Sequence, residues 1–498
     1  MNVNPITRLD YPDPDVIRVE DTYYMVSTTM HFMPGCEILQ SFDLVHWEHV
    51  TYVYETLDHT DAQQLKSGQN IYGQGMWAAS LRYHEGRFCI CFVANDTRKT
   101  YLYTSEKIDG PWKKQLIEGF YHDGSLLFDE DGRNYIVYGN DEIWITELNE
   151  DLTAPKKDGL HRLLVSDHKN PELGYEGSHI QKINGYYYIF LIHFLRDRWM
   201  RTEACFYSDS LEGEFTGGDV LCDDRGYCGQ GVAQGGIVDT PDGKWYAMLF
   251  QDSGAVGRIP ILLPVTWKDH FPFFGQNGHV PEEIEVHSTR PGYIYQPLVG
   301  SDDFCNGLLP RWQFNHDPDP RYYHLDALQG TYTITTREVC TELTQAVNTL
   351  TQRMSYPSCA AEVTVDASAL KEGDVAGLCA LQSCYAAVGI TKHHGKYEVL
   401  MLDKKEDGIL DMTEGTVVES HQMDFRLEAD FCNMKDEARC YYRVNKGDWL
   451  PIGTVHKLYF KLDHFTGCRF GLFCYAAEET GGSACFRDFK YYDVDEIS

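Results

Sequence analysis

The segment EGSHIQKINGYYYIFL, residues 176–191, reads as two β-strands joined by Asn184-Gly185. Asn-Gly is the strongest short signal for a two-residue hairpin, because both central residues of a type I′ turn take positive φ. The run after the turn is rich in Tyr, Ile and Phe, which fit a pleated, half-buried surface. Working outward, four further segments have the same form: DPDVIRVEDTYYMV (13–26), WAASLRYHEGRFCICFV (77–93), DGSLLFDEDGRNYIVYG (123–139) and QGGIVDTPDGKWYAMLF (234–250). Their turns are read at Asp21-Thr22, Glu85-Gly86, Asp131-Gly132 and Asp242-Gly243.

The copies recur roughly every 45 to 65 residues, which leaves room for about four strands each, the size of a propeller blade. Five such units over residues 1–295 predict a five-bladed β-propeller. A β-sandwich of similar strand count would not repeat one hairpin so regularly. Residues 296–498 carry alternating runs such as YEVLML (397–402), KLYFKL (457–462) and FGLFCY (470–475) between closely spaced turns, which reads as a β-sandwich. The expected fold is therefore all-β, a propeller catalytic domain followed by a sandwich accessory domain. A chain of 498 residues has length for two or three cores.

The net charge of −32 works against nucleic acid and anionic membranes and leaves a neutral substrate open. No apolar run approaches the roughly 20 residues of a membrane span, and the first residues lack the pattern of a secretory signal. The 16 cysteines are scattered, without CxxC or zinc-like spacing, so free thiols and a cytoplasmic location are expected.

Counting nine positions back from the second turn residue of each unit reaches Asp13, Trp77, Asp123, Glu176 and Gln234. If these strands line the axis, three acids, a Trp and a Gln meet at one mouth of the central channel; a bulge would spoil the register for its blade. Singly, each has an ordinary explanation: the three acids as turn residues, Trp77 as core, Gln234 as part of a tight strand. The shared offset favours a site. Neighbouring carboxyls push one another's pKa values apart, and an acid with a base is what glycoside hydrolysis needs. In the inverting version the pair stand about 6.5–9.5 Å apart, leaving room for water. Arg258, in AVGRIPIL, is an unusual cation beside an apolar run, though a surface arginine snorkelling from a strand end would look the same. The loop TTMHFMPG (28–35), with Met30, His31 and Phe32, can wall a sugar pocket or only cover the channel. His393-His394 has no partner at metal spacing. No phosphate-cradling loop and no GxSxG motif occurs.

These motifs resemble glycoside hydrolase family 43. The resemblance is carried by YPDPDVIRVEDTYYMV (11–26), MWAASL (76–81), HDGSLLFDEDGRNYIVYG (122–139), YEGSHIQKINGYYYIF (175–190), and VDTPDGKWYAMLF with GRIPIL (238–250, 257–262). SDDFCNGLLPRWQFNHDPDPRYYHL (301–325) and GDVAGLCALQS (373–383) are similar to the concanavalin-A-like sandwich of family-43 β-xylosidases. The resemblance implies inverting hydrolysis with Asp13 as base, Glu176 as acid and Asp123 as the carboxylate that tunes and orients. It implies that Arg258 contacts substrate and that Trp77 and Phe32 wall the pocket. The second domain is expected to close one side of the pocket, so that only a terminal sugar fits and the enzyme releases terminal β-D-xylose, α-L-arabinofuranose or both from hemicellulose-derived oligosaccharides.

Departures are Ala79 for a proline, Met30 for an aromatic, Asp15 for a serine, and Gln234 where many members carry a histidine, sometimes linked to an axial calcium. The expectation is therefore no required cofactor and no metal, with Gln234 left as a substrate-side residue. The only expected partner is the oligosaccharide, and a homo-oligomer stays open. An endo-arabinanase and a non-catalytic carbohydrate-binding propeller are the alternatives. The first would want an open cleft, and the second gives no reason for acids in register.

Overall fold

The structure, a computed structural model, describes residues 2–413 and 415–493. Its regular elements among the described residues are β-strands and four short 3₁₀ turns. Five four-stranded antiparallel sheets form the first half. Their innermost strands are Asp15–Val19, Met76–His84, Ser125–Phe128, Glu176–Ile183 and Ala233–Asp239, for blades 1 to 5 in order. Each innermost strand packs beside the next, and the fifth packs beside the first, so the ring is closed. The short strand Asn2–Val3 pairs with Glu283–Ile284 beyond blade 5 and ties the ends of the propeller together. A cluster of buried apolar side chains fills each seam between blades, which is how sheets with two covered faces build a core.

The hairpins are where the five segments put them, but two kinds of turn close them. Glu85-Gly86 and Asn184-Gly185 are two-residue turns with both residues at positive φ. In blade 1 the turn is Glu20-Asp21, one residue before the position read from the sequence, because Val19 pairs with Thr22. Blades 3 and 5 have longer loops, closed by Asp129 N–H to the Arg133 carbonyl and Thr240 N–H to the Lys244 carbonyl.

Asp15 stands on the blade 1 strand with its side chain fully buried. Its Oδ2 accepts from the Leu81 N–H at 2.7 Å and from Arg82 Nη1 at 2.8 Å, and its Oδ1 lies 3.1 Å from His179 Nδ1. Arg82 continues to the Leu126 carbonyl, Ser125 Oγ and the Ile180 carbonyl. One carboxylate and one guanidinium thus join blades 1, 2, 3 and 4 around the axis. Burial opposes the Asp15 charge, but Arg82 and His179 outweigh it and hold the carboxyl below its ordinary value of 3.8. Breaking a buried pair leaves its partner uncompensated, so Asp15→Asn is expected to cost about 3–5 kcal/mol of stability at neutral pH. The folded-state value is depressed, so the contribution is complete above pH 3.8 and is lost as pH falls through the lower folded value. The gap between wild type and variant in denaturant unfolding is therefore expected to be constant at neutral pH and to close in acid; a gap that widens in acid contradicts this placement.

The second half is two antiparallel sheets facing one another across a continuous apolar core. One sheet has a borrowed edge: Phe32–Met33, from the loop of blade 1, pairs with Gln313–Asn315. Ala255, Val256 and Ile259 of blade 5 also join the sandwich core. The two domains thus share both a ladder and a core. All 16 cysteines are free.

Candidate active site

Each blade has a bulge at the same height, just before or within its innermost strand. In blade 2, Met76 pairs with Ala94 and Ala79 with Phe92, so Trp77 and Ala78 together oppose Val93. The equivalent first bulge residues are Asp13 in blade 1, Asp123 in blade 3, Gly177 in blade 4 and Gln234 in blade 5. The nine-residue offset reaches the bulge in four blades for different reasons: blade 2 has the spacing outright, blades 3 and 5 offset a longer loop with a shorter ladder, and blade 1 is reached because its turn stands one residue before the position read. In blade 4 it slips by one. Glu176 stands one residue earlier, at the position held in blade 3 by His122, and these two side chains meet: His122 Nε2 lies 3.3 Å from Glu176 Oε2.

Four of these bulge residues, Asp13, Asp123, Gly177 and Gln234, have φ between 48° and 65°. Aspartate tolerates this left-handed region better than most residues, and glycine freely. At Gly177 a Cβ would also lie 2.8 Å from the Gln234 side chain, so two constraints select glycine. The bulges turn peptide groups as well as side chains. Gly177 N–H donates to Asp123 Oδ2 at 3.0 Å, which couples the carboxylate of blade 3 to the strand that carries Glu176.

Asp13 is buried. Its Oδ1 is paired with Arg258 Nη1 at 2.9 Å, and its Oδ2 accepts from the Thr28 hydroxyl at 2.6 Å. Burial raises the Asp123 carboxyl, the charges of Glu176 and Asp13 push the same way, and His122 pulls back; the net is an increase to about 6. Burial alone would lower His122, but Asp123, Glu176 and Asp13 raise it to about 9. Glu176 Oε2 accepts from Asn140 Nδ2 at 2.7 Å as well as lying against His122. Both interactions fall on one oxygen. Oε1, with no hydrogen-bond partner among the described residues, is the atom on which a transferable proton can sit.

Glu176, His122 and Trp77 line a cavity of about 940 Å³. Its wall is shared between domains: Phe120 and Trp199 come from the propeller, Phe460 and Phe465 from the sandwich. The Phe465 ring lies 5.7 Å from that of Trp77 and 4.2 Å from the Arg258 guanidinium. Its carbonyl accepts from Arg258 Nη2 at 3.4 Å. Asp13, Asp123 and Arg258 are buried just beneath these wall residues.

Three expectations need correction. Phe32 does not wall the cavity; it is 2% exposed, roofed by the Arg469 guanidinium at 3.4 Å and packed with sandwich residues, because its strand has joined the sandwich sheet. Met30 and His31 of the same loop are buried too. Gln234 is buried against Gly177, with its N–H donating to Glu203 Oε2 at 2.7 Å, and is not part of the wall. Arg258 pairs with Asp13 beneath Phe465 and does not itself line the cavity. Of the groups missed, His122 adjoins Asp123 in the sequence and was legible as a neighbour. Asn140, Phe460 and Phe465 gave no signal, being brought in by pairing and by domain docking.

The donor atoms of His122, Asp123 and Glu176 lie within 4.8 Å of one another, the one such group of three among the described residues. They are the same groups that acid–base chemistry would use. In blade 5, Gln234 offers one amide oxygen, and Glu203 beside it takes the Gln234 N–H on Oε2 while its Oε1 is buried without a partner among the described residues.

Comparison with known proteins agrees along the chain. The sequence model of glycosyl hydrolases family 43 matches residues 3–272, and that of the β-xylosidase C-terminal concanavalin A-like domain matches residues 301–492. A β-xylosidase of Formosa agariphila is 26% identical over 99% of this chain and 89% of its own length. A xylosidase/arabinosidase of Humicola insolens is 26% identical over 98% and 96%. The solved structure of a bifunctional GH43-CE protein of Bacteroides eggerthii superposes with a TM-score of 0.93 at 42% identity, covering all of this chain. This chain spans 64% of that protein's length.

Proposed function

The chain belongs to glycosyl hydrolase family 43, and from that premise we propose that it is an exo-acting, inverting enzyme that releases terminal β-D-xylose, α-L-arabinofuranose or both from oligosaccharides. The observation that carries the reading is the division of labour among three carboxyls, Glu176 on the wall of a half-closed cavity and Asp13 and Asp123 just beneath it. Asp13 is held by the Arg258 guanidinium on one oxygen and the Thr28 hydroxyl on the other, which fixes its orientation. Glu176 keeps one oxygen unclaimed on the cavity wall. Asp123 lies between His122 and the Gly177 N–H, which fix its position beside Glu176.

In this mechanism Glu176 Oε1 gives its proton to the glycosidic oxygen as the bond to the anomeric carbon lengthens. Asp13 takes a proton from a water that attacks the opposite face of the sugar. Arg258 balances the Asp13 charge and orients it. Trp77 and Phe465 give the sugar apolar faces. The sandwich closes the cavity beside Arg258, which favours a chain end over an internal bond and disfavours endo cleavage.

Side-by-side assays on aryl β-D-xyloside and aryl α-L-arabinofuranoside are expected to show hydrolysis of at least one. The first-formed sugar, followed by NMR before mutarotation, is expected to have inverted anomeric configuration. A retained product would exclude the assignment of Asp13 as base to water. The relatives' names cover both pentoses, and the choice between them rests on a few pocket contacts worth only a few kcal/mol.

A further inference from the structure

The cavity has a burial gradient. Its lining runs from Trp199, 63% exposed, and Leu462, 73% exposed, to buried groups. The buried part includes Phe194 of blade 4 and Leu458 and Asp436 of the sandwich. A chain end entering such a cavity puts its terminal sugar at the buried end and its leaving group at the exposed one.

Two carboxylates line the buried end, one from each domain. Asp252 lies directly across the ladder from Arg258. Its Oδ2 accepts from Arg201 Nε at 2.6 Å, while its Oδ1, though buried, has no hydrogen-bond partner among the described residues. Asp436 comes from the sandwich and is 6% exposed. The Ala255 backbone N–H is the main group that favours its charge, and its Oδ1 is likewise buried without a partner. Gly254 makes room for it, since a Cβ there would lie 2.6 Å from Asp436 Oδ2. Burial pushes the Asp436 carboxyl up to about 6 against the Ala255 N–H and Lys457, so the protein compensates its charge incompletely. Buried polar atoms in native proteins are nearly always satisfied, and an acceptor left over on a cavity wall marks where a donor arrives with the ligand.

Building on the pentosidase reading, we propose that Asp436 of the accessory domain, together with Asp252, accepts hydrogen bonds from hydroxyl groups of the terminal sugar and so helps to set which pentose is cleaved. Hydroxyl donors satisfy both unmatched oxygens at once, and neither carboxylate touches the catalytic three. The sandwich then contributes chemistry to the site as well as a roof.

Asp436→Asn tests this. The amide has the shape of the carboxylate and its oxygen can still face the Ala255 N–H, while the unmatched acceptor becomes a donor. The variant is expected to lose about ten- to a hundredfold in kcat/KM on the aryl pentoside, with an unchanged unfolding temperature. On the monodeoxy pentoside lacking the hydroxyl it holds, the loss is expected to vanish, which a merely structural role would not produce. Wild-type kcat/KM in the variant, or an equal loss on every monodeoxy substrate, overturns the proposal. If the wild type cleaves no pentoside, it is the pentosidase reading that fails. Calorimetry with free xylose and free arabinose then decides Asp436, and equal binding by wild type and variant overturns it.

Discussion

Replacing Asp13 by asparagine is expected to reduce kcat by about 10²- to 10⁴-fold, the range over which a positioned general base acts, in a protein that still folds but is less stable because buried Arg258 loses its counter-charge. Asparagine is the informative substitution. Asp13 has a φ of 52°, which asparagine adopts readily and alanine does not, so an alanine variant would mix lost chemistry with backbone strain. The amide also fits the existing partners. Its oxygen can face Arg258 Nη1 and its NH₂ can face the Thr28 oxygen, which accepts as well as donates. What disappears is the ability to take a proton from water. Azide needs no base, so it is expected to restore turnover and to yield a glycosyl azide of inverted configuration. Near-normal kcat without azide would remove Asp13 from the role of base; a fall in kcat that azide cannot relieve would point to lost positioning instead.

This prediction shows which parts of the site were legible in the sequence. The propeller was, because Asn-Gly, Glu-Gly and the aromatic strands recur on a short physical scale, and hairpins are local. The sandwich was, through alternation. The acids were found by an offset that worked partly through compensation, since blades 3 and 5 pair longer loops with shorter ladders. In blade 4 the bulge falls on Gly177, and Glu176 reaches the site from the preceding position, beside His122. A bulge is set by how a strand meets its neighbour across the axis, and nothing in a single hairpin announces it. Phe32 was misplaced for a related reason. Its loop looks free in sequence and is claimed by a strand at Gln313–Asn315, some 280 residues on. Phe465 and Asp436 are further cases in which domain docking, invisible to local pattern, brings a residue to the cavity wall. Asp15, an unexplained extra acid in the sequence, is explained by Arg82 and His179 as part of the axial framework.

The second large effect belongs to Glu176 and should depend on the leaving group. Glu176→Gln keeps an oxygen for Asn140 and His122 and places an NH₂ where Oε1 stood, so the wall is preserved and the transferable proton is lost. A sugar alkoxide is a poor leaving group and needs that proton. On a disaccharide the variant is expected to lose about 10²- to 10⁴-fold in kcat/KM. A dinitrophenolate departs without protonation, so on the dinitrophenyl pentoside the loss should shrink to a small factor. The two substrates share the terminal sugar, Asp13 and the attacking water, and differ only in what must be protonated. Equal losses on both would mean that Glu176 serves sugar binding or the shape of the cavity. Proton donation would then have to come from His122 or Asp123, the other titratable groups within reach of the same oxygen.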